Sequence, residues 1–133
     1  MGIHVVWYDA EKTIIVWEFD GVWEWQDYHA AINTAVVMIK SVNHVVDSIM
    51  DLRRNRSLPP NALMEGKRWF VVAPSNFGIT VVAGGSVLIR GIATTIAAVY
   101  KRFSDRILMS GTVDEAIQMI RDKKRQREQS SQR

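Results

Sequence analysis

No cysteine occurs in the 133 residues, which excludes disulfides, thiolate metal ligands and a thiol nucleophile. Proline occurs only three times, two of them side by side at Pro59-Pro60, and no linker or internal repeat divides the chain. No apolar run approaches the roughly 18–20 residues needed to span a bilayer. Met1-Gly2-Ile3-His4 has neither the basic nor the apolar region of a signal peptide, so a cytoplasmic protein is expected. The three histidines, His4, His29 and His44, fall on different elements, and no zinc, P-loop, nucleophile-elbow or dinucleotide signature is present. No catalytic residue, metal or cofactor is therefore expected, and the chain does not read as an enzyme.

What is present is one domain's worth of apolar residues, 47% of the chain, enough to bury a core without staples. Charge is unevenly placed. Residues 121–133 hold six Lys/Arg against Asp122 and Glu128, a net of +4, which leaves the preceding 120 residues at −1 of the chain's +3. The expected organisation is a domain over 1–120 and a basic polar tail over 121–133, either a frayed helix end or disordered. With a near-neutral body, nucleic acid is not an expected partner.

Ile3–Tyr8 and Thr13–Phe19 are rich in the β-branched and aromatic residues of strands, with Asp9-Ala10-Glu11-Lys12 as a hairpin turn. Both faces of the second strand are apolar, Ile14 and Val16 on one and Ile15, Trp17 and Phe19 on the other, so helices should cover both. Trp25, Tyr28, Ile32, Ala35, Ile39 and Val42 recur at helical spacing, predicting a helix over Trp25–Ser41. Strands follow at Val45–Leu52, Phe77–Ala83 and Arg106–Met109. Helices are predicted at Asn61–Ala73, opened by Pro59-Pro60, and at Val87–Phe103, with Leu88, Ile92, Ile96, Val99 and Phe103 inward. Thr112-Val113-Asp114-Glu115 is a capping box that starts the last helix. The order ββαβαβαβα predicts an α/β fold with a mostly parallel five-stranded sheet and four helices.

In such folds ligands gather beyond the carboxyl ends of the strands. Two junctions there stand out. In the first, Asp51-Leu52 runs into Arg53, Arg54 and Arg56, cations suited to a phosphate, a carboxylate or an acidic partner, with Ser57 placed where a phosphate would be stabilised. In the second, Gly84-Gly85-Ser86 lets the backbone approach an anion at a helix start. Asp47 and Asp51 share a strand face and invite acid–base chemistry. The simpler expectation is that Asp51 accepts from loop N–H groups while Asp47 pairs with a basic side chain. Of Trp23 and Trp25, one ring staples the first helix and the other is a candidate aromatic contact.

The hairpin, long helix, strand ending Met50-Asp51-Leu52, loop and helix, then strand-Gly-Gly-helix-strand-helix, resembles the STAS domain of anti-sigma-factor antagonists and its divergent SpoIIAA-like relatives. The likeness spans roughly residues 3–120. Those antagonists carry a phosphorylatable serine in an Asp-Ser-Ser-Gly-Leu-like motif after this strand; here the sequence is Arg56-Ser57-Leu58-Pro59-Pro60-Asn61-Ala62-Leu63. The resemblance implies a non-catalytic regulatory module that binds a protein of the regulatory-kinase or anti-sigma kind through segment 53–63. Its alternative is a small ligand, nucleotide or lipid-like, in a pocket at the strand ends near Trp23 and Trp25. A homodimer is left open.

Overall fold

The computed structural model describes residues 2–131; positions 1, 132 and 133, including the Arg133 counted in the basic tail, lie outside the described residues. β1 (Gly2–Trp7) and β2 (Ile14–Gly21) form the antiparallel hairpin. Asp9 closes its turn: the carboxylate accepts from the backbone N–H groups of Thr13 and Ile14 at 2.9 and 3.1 Å, and from the Thr13 hydroxyl. β3 (Val46–Asn55), β4 (Phe77–Ala83) and β5 (Ile107–Ser110) then add in parallel, so the sheet order β1-β2-β3-β4-β5 follows the chain.

That order decides which face each helix covers. Right-handed crossovers between successive parallel strands place all the connecting helices on the same side. α1 (Trp25–Lys40), α2 (Ala62–Gly66), α3 (Arg68–Val72) and α4 (Val87–Val99) lie there, over the larger apolar cluster that includes Trp17, Tyr28, Ile39, Trp69 and Ile96. α5 (Val113–Ser131) leads to no further strand and covers the other face, packing Ala116, Ile117 and Ile120 with Ile14, Val16, Ile49 and Val81. Both faces of β2 are covered, as its sequence requires. Val6 and Tyr8, on β1 and just beyond it, remain exposed.

Several boundaries differ from the sequence expectation. β3 continues through Arg53, Arg54 and Asn55, because Asp20 and Gly21 of β2 extend far enough to pair with Arg54 and Asn55. The helix expected over 61–73 is divided into α2 and α3 at Gly66–Lys67. Pro59 and Pro60 precede it rather than open it, since the capping residue is Asn61, in the left-handed region at φ 67°. α4 stops at Val99, and a short 3-10 turn, Lys101–Phe103, takes over. The face of α4 is also rotated: Ile89, Ala93 and Ile96 are buried, while Leu88 and Val99 are exposed. At the start of α5 the Thr112 hydroxyl accepts from Glu115 N–H at 3.1 Å, but the Glu115 carboxylate takes the N–H of Gly111, one residue earlier than a capping box has it. Helix α5 runs on through the basic segment to Ser131 without a break at 120.

Gly91 stands in α4, exposed, with no atom within 4 Å of where a Cβ would be. Gly91→Ala is therefore expected to stabilise the fold by about 0.5–1 kcal/mol through helix propensity alone. A rise in the urea midpoint at unchanged slope would show it.

Candidate functional site

The carboxyl ends of β3 and β4 carry a surface held by side-chain hydrogen bonds. Three side chains at the start of α1 and just before it stitch segment 55–66 across those ends. The indole N–H of Trp23 donates to Asn55 Oδ1 at 2.6 Å, and that of Trp25 donates to the Pro60 carbonyl at 2.6 Å. The Tyr28 hydroxyl donates to the Gly66 carbonyl at 2.7 Å. His29, the next residue along the helix, has its Nε2 2.7 Å from Glu65 Oε2. Burial raises the Tyr28 hydroxyl well above its ordinary pKa, a backbone bond from Trp69 opposing this only partly, so it remains a donor.

Strand alternation splits the arginine cluster that the sequence placed together. Arg53 lies on the same face as Asp51, which accepts from the Arg53 backbone N–H at 3.1 Å and from its guanidinium at 2.9 and 3.0 Å. Arg54, the next residue, is sent to the opposite face. Arg56 lies past the end of the strand, its backbone N–H donating to the Gly21 carbonyl at 2.9 Å. Arg54 and Arg56 are exposed, and among the described residues neither makes a side-chain hydrogen bond or ion pair. Asp51 therefore neutralises one cation and leaves two.

Burial works against the charge of Asp51, but the hydrogen bonds from the Arg53 side chain and backbone, with the charges of Arg53 and Arg54, outweigh it. Its carboxyl is held below the ordinary value of 3.8. A depressed folded pKa gives stability that is complete above the unfolded value and is lost as pH falls through the folded one. The stability gap between wild type and Asp51→Asn is accordingly expected to be full at neutral pH and to close below about pH 4. Urea unfolding at a series of pH values measures it, and a gap that persists under acid would remove this role from Asp51.

Gly84 and Gly85 both have positive φ, 75° and 92°. A Cβ on Gly84 would stand 2.8 Å from Arg53 Cγ, so this glycine lets β3 and the β4 turn approach each other. Ser86 caps α4, its hydroxyl accepting from Ile89 N–H at 3.3 Å. Arg90 closes the turn by donating to the carbonyls of Gly84 and Ser110, both at 3.3 Å.

Against segment 55–66 lies an apolar chamber of about 80 Å³ that is itself open to the surface, bounded among others by Trp23, Trp25, Met50, Leu52, Leu58 and Ala62. Beside it runs an open cleft of about 430 Å³ that shares Leu52, Leu58 and Ile89 with the chamber and adds Arg56, Ser57 and Ser86. Trp23 is a correction: at 3% exposure it is a wall of the core and not a surface contact, because Asn55 gives its N–H a partner. Trp25 is half-buried. On α2 and the first turn of α4 stand exposed apolar side chains that sequence reasoning missed, Leu88 among them lining the cleft. Val87 is 89% exposed, Leu88 65% and Met64 65%, and Leu63 is also exposed. Leu88 belongs to a stripe that shares Ile92 and Ile96 with the true buried face, so periodicity alone placed it inward.

Asp47 and Asp51 lie at opposite ends of the strand's buried stretch, about 13 Å apart at the usual rise, and do not form a carboxylate pair. Asp47 accepts from Ile79 N–H at 2.8 Å and from Arg127 at 2.9 and 3.2 Å. Each aspartate thus has the kind of partner expected for it. No helix among the described residues is long and apolar enough to cross a membrane. No protein-family model matches the sequence, and no curated protein matches it.

Proposed function

We propose that this chain is a non-catalytic regulatory module of the STAS-like kind, which binds a protein partner on the face formed by segment 53–63 and the first turn of α4. The observation that carries this reading is that exposed Leu88 and Arg56 line one cleft, with Leu63, Met64 and Val87 also exposed on α2 and the first turn of α4. An apolar centre edged by arginine is the usual composition of a protein interface, where burial supplies affinity and the rim supplies orientation. The partner that fits is a segment with apolar anchors flanked by Asp or Glu. The hairpin followed by strict alternation supports the STAS-like assignment, and the site falls where such modules meet regulatory proteins.

Leu88→Asp tests the reading. It places a carboxylate at the apolar centre on an already exposed position, so far-UV CD and the unfolding midpoint should hold while partner capture is lost. Capture equal to wild type would take this face out of the proposal.

A further inference from the structure

The chamber at this surface has its own chemistry, independent of any docked protein. Its lining offers no free hydrogen-bonding group, because the indole N–H groups of Trp23 and Trp25 and the Tyr28 hydroxyl are already bonded to Asn55, Pro60 and Gly66. A polar occupant would forfeit its water hydrogen bonds there with nothing in return. A nucleotide base, with its polar edges, is the wrong chemistry. At about 80 Å³ the chamber is roughly half the size of the about 150 Å³ apolar cavity that binds benzene in an engineered protein. It suits a short alkyl arm.

The adjoining cleft supplies the opposite character. Leu52, Leu58 and Ile89 belong to both spaces, so an apolar arm leaving the chamber passes directly into the cleft. There Arg56 is exposed, whereas the neighbouring Arg53 is already held by Asp51. We propose that chamber and cleft together bind a small amphiphilic anion, with its alkyl arm against Trp23, Trp25 and Ala93 and its carboxylate or phosphate head at Arg56. The α2 segment is the cover of this site. It contributes Ala62 and Gly66 to the chamber, has no buried residue of its own, and is held down by the hydrogen bonds from α1.

The test uses the full chain and follows the indole N–H resonances of Trp23 and Trp25 during titration with n-alkanoates from butanoate to decanoate, n-octyl phosphate and 1-octanol. Saturable shifts at both indoles are expected. Affinity should rise roughly fourfold per added methylene and level off once the chamber is full. Octanol should bind about tenfold more weakly than the better anion, and Arg56→Gln should reduce that anion to the octanol level. The order of octanoate and octyl phosphate names the head group, and either order supports the site. Ala93→Leu fills the chamber and should abolish the shifts; Ala62→Leu, on the cover, serves if Ala93→Leu fails to fold by far-UV CD. Absence of saturable shifts, affinity that climbs with chain length without levelling, or binding indifferent to both Arg56→Gln and the filling variant would overturn the proposal. Val87→Asp alters the protein-docking face at a position that lines neither chamber nor cleft, so ligand binding that survives it while partner capture is lost separates the two sites.

Discussion

Gly78→Ala is expected to lower the unfolding free energy by about 2–4 kcal/mol, a large part of the roughly 5–15 kcal/mol that holds a domain together. The cause is steric and local. A Cβ at position 78 would stand 2.1 Å from Asp47 Oδ1, 2.7 Å from Arg127 Nη1 and 2.9 Å from Val45 Cγ1. Arg127 is long enough to move aside. Asp47 is not: it is buried, its side chain is short, and Ile79 N–H holds the same oxygen at 2.8 Å. Displacing that carboxylate breaks its paired bonds with Arg127 and leaves a buried charge short of partners, the costly way to lose an ion pair. The second consequence is spatial. Apolar packing of α5 ends at Ile120, so its last turns are fastened to the sheet by the Arg127 contact with Asp47. Amide exchange over 121–131 should therefore accelerate in Gly78→Ala while residues 113–120 stay protected. Unchanged stability with unchanged exchange would mean that Asp47 is not seated as described.

Charge reversal at the opposite end of the sheet should act on binding and spare the fold. Arg56→Glu combined with Leu88→Asp is expected to weaken partner binding by about a hundredfold or more, because the two changes act on different parts of the interface. A carboxylate at position 88 meets the partner's apolar anchors, and loss of an anchoring contact commonly costs about 2 kcal/mol or more. Reversal at Arg56 turns attraction for an acidic flank into repulsion, which slows association and removes its salt dependence. Both residues are exposed, so stability should move by no more than about 0.5 kcal/mol. Binding to wild type should weaken as salt rises, and binding to the double variant should respond little. Affinity untouched by the pair would reject the face.

Much of this was legible in the residues themselves, for reasons that differ from element to element. β4 and α1 could be read because each shows one unambiguous pattern, a continuous apolar run bounded by turn residues and a stripe at helical spacing. Asp47 and Asp51 could be assigned partners because a buried carboxylate must have one. The identity of Asp47's partner could not, since Arg127 lies 80 residues away and joins it only through the sheet. For the same reason the basic segment reads as a tail: Arg127 ties its helix to a distant strand, and no periodic apolar face does so. The arginines misled in a different way. Arg53-Arg54-Asn55 has little strand character of its own, yet pairing with Asp20 and Gly21 makes it strand, and alternation then separates side chains that adjacency had grouped. Trp23 went inward because Asn55, within that same extension, offered its N–H a partner. Leu88 stayed outward because α4 offers two apolar stripes of nearly equal quality, and only packing chooses between them.

A photo-reactive residue placed at position 88, or at the equally exposed Val37 far along α1, and irradiated in the protein's native cells, bears most directly on where this module works. Adducts with one discrete protein at position 88, suppressed by Arg56→Glu and missing at position 37, are the expected result. Adducts at position 37 with none at position 88 would contradict the assignment of the functional face to the carboxyl ends of the strands.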